Sequence, residues 1–161
     1  MKIRNARMED LSQILEIYQD ARRFMAENGN PDQWGDGYPP RELLLEDLEK
    51  EQLYVCEGEG ELQAVFVFSQ EEDPSYRKIY QGQWKNDLPY GVIHRIASGK
   101  KGKGTASVCL DWCLAQCKNL RIDTHRRNIP MQSFLKKKGF QECGVIYIED
   151  GSERLAFQKT E

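Results

Sequence analysis

Residues 98–107 read SGKKGKGTAS and join a strand-like run, YGVIHRIA, to a helix-like run, TASVCLDWCLAQC. This junction constrains the fold more than any other stretch of the chain. The helix is followed by another strand-like run, LRIDT, so the three segments make a β-α-β unit, which needs a crossover of this length. Three glycines and three lysines are more than such a turn requires. Glycine lets backbone approach a ligand closely, and a helix N-terminus presents free N–H groups and partial positive charge. Thr105 and Ala106 keep the first helical turn small, and the lysines raise the local potential. The turn suits an anionic ligand; its other reading is a flexible, solvated connection.

Around this unit the order of elements reads α/β. KIRNA alternates as a short strand, and Leu11, Ile14, Tyr18, Ala21 and Met25 recur at helical spacing through about residue 27. Asn28 to Pro40 carries three glycines and three prolines and is expected to be a loop or lid. RELLLEDLEKE reads as a second amphipathic helix, and QLYVCE and LQAVFVF, separated by GEGE, as a hairpin. SQEEDPSYRKIYQGQWKNDLP is a polar excursion with a short aromatic segment. After LRIDT come a helix, PMQSFLKKK, ending at Gly139, and two strands, VIYIE and RLAFQK, joined at Asp150-Gly151.

Length bounds the chain to one domain, residues 1–161, and 39% hydrophobic with 30% charged residues is a globular composition. The longest apolar runs, such as AVFVF, are too short to span a bilayer, and MKIRNARMEDL has no apolar segment of a secretion signal. A cytoplasmic protein with no membrane partner is therefore expected. The five cysteines are odd in number and sit within apolar runs, which points to free thiols. Cys109, Cys113 and Cys117 fall along one helix face; that spacing is unusual for zinc and no His is adjacent, so a core stripe and no metal are expected. The net charge of −3 and the absence of aromatic-basic interleaving argue against nucleic acid.

Three phosphate-binding patterns can be laid on the turn. The mononucleotide loop G-x-x-x-x-G-K-[ST] begins at Gly99 and Gly104 but requires lysine where Thr105 stands. The dinucleotide fingerprint G-x-G-x-x-G fits Gly102 and Gly104, needs Gly or Ala at Ser107, and finds an acidic residue, Asp123, about twenty residues on. The chain that remains cannot supply the further strands of that fold. In the third pattern, Lys101, Gly104 and Ala106 stand at the three positions of Gln/Arg-x-x-Gly-x-Gly/Ala, and Asn128 begins NIPMQSFLKKKGF, a helix closing on Gly-Phe. With these two motifs in this order, the whole chain resembles the Gcn5-related N-acetyltransferase (GNAT) superfamily. Lys101 departs from the family's Gln or Arg, keeping charge but losing the planar fork.

The resemblance implies a mixed, mostly antiparallel sheet with a central β-α-β unit, splayed between strands 4 and 5, with helices on both faces. It implies acetyl-CoA as cosubstrate and an amine acceptor, and leaves a homodimer open. Ile96, Ala97 and Ser98 would face the pantetheine arm, the amides from Gly102 through Lys103, Gly104 and Thr105 to Ala106 would hold the diphosphate beside Lys101, and Asn128 would meet the arm from the other side. Lys100 or Lys103 would reach the outer phosphate. Many members of the superfamily place a Tyr acid four residues before the Gly of Gly-Phe; Leu135 stands there.

An attacking alkylamine, with a pKa of about 10, must lose a proton at neutral pH. His94, Asp123 and His125 are the catalytic candidates, with Arg95, Tyr147 and Glu149 nearby in the strand pattern. His94 alternates with Val92 and Ile96, so a satisfied, partly buried histidine is its other reading. Trp34 either closes over the acceptor or anchors its loop, and Asp32 and Asp36 either attract an amine or are solvated. The leading expectation is an N-acetyltransferase; an acyl-CoA-binding module without catalysis and a small NAD(P)-binding oxidoreductase are the alternatives.

Overall fold

A computed structural model describes residues 1–99 and 104–161. Among them are the strands β1 (Lys2–Asn5), β2 (Leu53–Gly58), β3 (Glu61–Ser69), β4 (Gly91–Ser98), β5 (Asn119–Thr124), β6 (Gln141–Tyr147) and β7 (Glu153–Thr160). The helices are α1 (Leu11–Glu27), α2 (Arg41–Glu49), α3 (Thr105–Gln116) and α4 (Ile129–Lys137). The strands form one sheet in the order β1-β2-β3-β4-β5-β7-β6, antiparallel except for β4 and β5. This is the mixed, centrally splayed sheet that the resemblance implies. No helix among the described residues is long and apolar enough to cross a membrane.

The alternation of side chains along each strand divides the core. Leu53, Val55, Val65 and Val67 point to one face, where Leu11, Ile14, Ile17 and Tyr18 of α1 and Leu44 of α2 cover them. Phe66, Phe68, Ile93, Ile122, Leu155 and Phe157 point to the other, under Cys109, Leu110 and Cys113 of α3 and Leu135 of α4. Cys109 and Cys113 are thus core residues, and burial pushes both thiols up, away from reactivity. Each such fully buried aliphatic or aromatic side chain contributes about 1.5–3 kcal/mol, so both layers hold the sheet.

Local rules explain the ends of the elements. A 3₁₀ turn at Met8–Asp10 precedes α1, and Asp10 accepts from the Arg7 backbone N–H at 2.8 Å while Arg4 grips both its oxygens. The motif replaces the missing cap residue at Arg7. Gly139, at φ +89, follows α4 as a left-handed C-terminal residue. The final hairpin turns at Asp150-Gly151, but β6 begins at Gln141, before the run VIYIE, because its ladder with β7 extends that far back.

The polar excursion is the part whose structure the sequence concealed. Residues 70–90 fold back across the sheet face carrying Val92, Ile146 and Ala156, led by Tyr76 at the end of a 3₁₀ turn, Pro74–Tyr76. Asp73 caps that turn by accepting from the Ser75 N–H at 2.8 Å. Trp84 donates its indole N–H to the Tyr76 carbonyl at 2.9 Å. The Arg121 guanidinium lies 4.1 Å from the ring centres of both Trp84 and Tyr90, a double cation-π contact. The sheet face is therefore covered by α1 and α2 over one half and by this excursion over the other.

Candidate active site

Strands β4 and β5 pair only at Gly91 with Leu120 and Val92 with Arg121. Beyond Val92 the two strands diverge. An extra residue in β4 adds to the distortion: Val65 pairs with Ala97 but Val67 with His94, so three steps of β4 oppose two of β3. At this bulge Arg95 takes a φ of +49, which a non-glycine residue holds only when its surroundings enforce it. Two contacts do so. Tyr18 of α1 donates to the Arg95 carbonyl at 2.8 Å, and the Arg95 guanidinium bonds Asp47 of α2 at 2.6 Å. Burial opposes the Arg95 charge, but Asp47, together with Tyr38 and Tyr18, outweighs it and holds the cation's pKa above its ordinary value.

The divergence opens a cavity of about 730 Å³ lined by β4 from Ile93 to Ile96, by β5 from Ile122 to Thr124, and by the loop after α1. His94 and Asp123 both face it. His94 Nε2 lies 2.8 Å from Asp73 Oδ2, so with Asp73 ionised the proton between them sits on Nε2. Burial alone would raise the Asp73 carboxyl, but the His94 hydrogen bond and charge outweigh it and hold it below the usual range. Across the same face Tyr76 donates to Asp123 Oδ2 at 2.7 Å. Burial pushes the Asp123 carboxyl up, against the opposing pull of His94, Tyr76 and Arg154. The rings of Tyr76 and His94 are 6.3 Å apart, which joins the two pairs into one polar cluster.

The remaining candidates fall in three places. His125 does not line the cavity: its Nδ1 accepts from the Arg127 N–H at 3.0 Å, and burial, then the charges of Arg154 and Arg127, push its pKa down. Asn128 lines the cavity wall as the N-cap of α4, accepting from the Met131 N–H at 3.2 Å and donating to Gln33 Oε1 at 3.1 Å. Trp34 lines the cavity and packs edge-on against Tyr18 at 5.7 Å. Glu149 lines it too, whereas Tyr147 is an exposed residue against Tyr80. Asp73, Tyr76 and Arg154 are site residues that sequence reasoning missed; the nearest signal was the aromatic segment inside the polar excursion.

At the glycine turn, Lys100, Lys101, Gly102 and Lys103 lie outside the described residues. Gly104 is left-handed, at φ +78, with open space where a Cβ would stand. Thr105 opens α3 fully buried, and its Oγ1 has no hydrogen-bond partner among the described residues. Ala106 packs at the edge of the core, and Ala97 and Ser98 complete β4. A buried hydroxyl without a partner among the described residues, beside a helix N-terminus, fits an anionic group arriving there. Thr124 Oγ1 and Arg95 Nε, on either side of the splay, are likewise buried without partners.

No family model matches the sequence, and no curated protein does. Solved structures do. A protein of Staphylococcus aureus Mu50, provisionally described as an acetyltransferase, is 26% identical with a TM-score of 0.73, covering 99% of each chain. A GNAT-family acetyltransferase of Listeria monocytogenes 4b F2365, 18% identical, has the same fold at a TM-score of 0.70 over 99% of this chain and 94% of its own. A GNAT-family acetyltransferase of Streptococcus agalactiae 2603 is 32% identical at a TM-score of 0.90, over 99% of this chain and 95% of that one. By that identity over nearly the full length of both, the chain belongs to the GNAT family of acetyltransferases.

Proposed function

We propose that residues 1–161 act as a single acetyl-CoA-dependent N-acetyltransferase domain, with a primary amine of a small molecule or peptide as acceptor. The observation that carries the reading is the β4–β5 divergence beyond Val92, which brings Asp123 and the Asp73–His94 pair to one cavity wall. Ile96, Ala97 and Ser98 on β4, the turn entering α3 with Gly104, Thr105 and Ala106, and Asn128 would hold the cosubstrate. When bound, acetyl-CoA supplies the acetyl group as a thioester, so that an N–C bond forms as a C–S bond breaks and a thiolate leaves.

The chain's own groups account for the rest. A cationic amine is drawn to Asp123, whose raised pKa makes it a better base than an ordinary carboxylate. His94 Nδ1, oriented through Nε2 by Asp73, is a second acceptor for that proton. Tyr76 fixes the Asp123 oxygen that it touches and leaves the other to the acceptor. Alternate backbone N–H groups of β4, left without a β5 partner, can stabilise developing negative charge on oxygen. Leu135 is fully buried under α3 and α4 and donates no proton. A thiol pKa of about 8.5 lets the thiolate leave without an acid at that position.

The experiment is thiol release from acetyl-CoA across a panel of primary amines, beside acetyl-CoA binding by thermal shift. Acceptor-dependent release, with binding abolished in Gly104→Asp, supports the reading. Binding without release for any acceptor favours an acyl-CoA-binding module, and a shift with NAD(P) alone removes the acyl-transfer reading.

A further inference from the structure

The charges lining the cavity do not all cancel. Asp73 is hydrogen-bonded by His94 and Arg95 is paired with Asp47, at 2.8 and 2.6 Å. Asp32, on the loop, meets Arg127 at 3.1 Å; Asp150 accepts from the Ser152 N–H at 2.8 Å and feels the charge of Arg154 without touching it. Four charged groups are left without an ion pair among the described residues: the carboxylates of Asp123, Glu149 and Asp150, and the guanidinium of Arg154.

Arg154 is the anomaly among them. It is 7% exposed, yet among the described residues it has no carboxylate partner. Its two terminal nitrogens donate only to backbone carbonyls, those of Glu153 at 3.0 Å and Gln33 at 3.3 Å. The carboxylate next to it in sequence, Glu153, turns away to Arg126 at 2.6 Å. A buried cation with no carboxylate in contact is costly, and this one lines the cavity.

Its position relative to Asp123 follows from the register. Asp123 pairs with Ala156 across β5 and β7, and Arg154, two residues along β7, points to the same sheet face. Such diagonal neighbours are about 7–8 Å apart. The charge of Arg154 accordingly pulls the Asp123 carboxyl down against its burial.

Resting on the N-acetyltransferase reading, we propose that Arg154 receives a carboxylate of the acceptor, so that the substrate is an amino carboxylate: an amino acid or a short peptide. Its ammonium group meets Asp123, its carboxylate completes the unpaired guanidinium, and both charges fall within one small molecule. Glu149 and Asp150, the other carboxylates without an ion pair, disfavour acceptors with a further anionic group near the hairpin.

The test uses the full chain with acetyl-CoA and matched acceptor pairs, each amino acid, ω-amino acid or dipeptide beside its carboxamide, read as kcat/KM for thiol release. The acid of at least one pair is expected to exceed its amide by about tenfold or more, because a site left with an unpaired charge rejects the neutral analogue. Arg154→Gln is expected to lower kcat/KM for that acid by about 100-fold, mainly through KM, while its amide changes less than about threefold. Arg154→Lys should recover part of the loss. The acid-to-amide ratio is internal to each variant, so a general loss of fold cannot imitate the effect. Amides turned over as well as acids, or a ratio unmoved by Arg154→Gln, overturns the proposal and leaves the N-acetyltransferase reading standing. Acetyl-CoA binding with no thiol release for any acceptor overturns that reading, and the proposal falls with it.

Discussion

Tyr76 Oη donates to Asp123 Oδ2 at 2.7 Å, tying the excursion between β3 and β4 to the end of β5. The carboxyl it holds is raised by burial. A carboxyl whose folded pKa lies above its unfolded value stabilises the fold fully only below the unfolded pKa, and that contribution is lost as pH rises through the folded pKa. Above its folded pKa the ionised Asp123 therefore costs stability. Asp123→Asn keeps an oxygen for Tyr76 and removes the charge. We expect its Tm above that pKa to rise by roughly 2–4 °C, about 1 kcal/mol, with the gain fading as pH falls through it. Turnover is expected to fall by about 10²–10⁴-fold, the range for a general base. Melting curves at several pH values beside thiol release check both; an unchanged rate removes Asp123 as the base.

The Asp73–His94 pair acts through orientation, and Asp73→Asn separates that from structure. Asparagine can still cap Ser75 through its side-chain oxygen, so the 3₁₀ turn at Pro74–Tyr76 survives. The charge that faces His94 Nε2 at 2.8 Å is lost, and the ring can then present the other tautomer. A fall in kcat of about tenfold or more is expected with Tm within a few degrees of wild type. The split between kcat and KM is the deciding measurement: the loss should fall on kcat with KM little changed, because Asp73 orients the ring and does not touch the acceptor. An unchanged kcat removes the pair from the chemical step.

The β-α-β unit, the two hairpins and the apolar faces of α1 and α4 are legible because each rests on a local signal: period 2 or 3.6, a glycine after a helix, an Asp-Gly turn. The divergence of β4 and β5 entered through the family resemblance, since no residue in YGVIHRIA announces a bulge; Arg95 is left-handed only because Tyr18 and Asp47, far away in sequence, hold it. Asp73 and Tyr76 were hidden for the same reason. They lie in a run without periodicity, and what recruits them to the site is the packing of Tyr76 on Val92 and Ala156. Arg154 reads as the polar start of a strand until β5 and β7 are paired.

The Arg95–Asp47 contact makes a stability prediction. Both side chains are largely buried, and Asp47 is the only carboxylate within salt-bridge distance of Arg95 among the described residues. Asp47→Ala leaves the guanidinium desolvated and unpaired, which costs about 3–5 kcal/mol, or roughly 6–20 °C in Tm for a chain of this length. Tyr18→Phe removes one hydrogen bond to the Arg95 carbonyl and is expected to cost about 1 kcal/mol. Thermal or urea denaturation of the two variants gives the order; an Asp47→Ala variant as stable as wild type would mean that the bulge is held elsewhere.

Leu135 makes the opposite kind of test. Many GNAT members place an acid tyrosine at the corresponding position, which invites Leu135→Tyr as a repair. Leu135 is 0% exposed, and its side chain points into the layer that holds Cys109, Leu110 and Phe140. A larger ring there overpacks the core at a cost of about 1–3 kcal/mol, and a buried hydroxyl without a partner adds about 1–3 kcal/mol more. The variant is therefore expected to melt roughly 5–15 °C below wild type, with kcat for thiol release no higher than wild type. A rise in kcat would show that position 135 reaches the leaving thiolate, and α4 would then have to turn this residue out of the core during turnover.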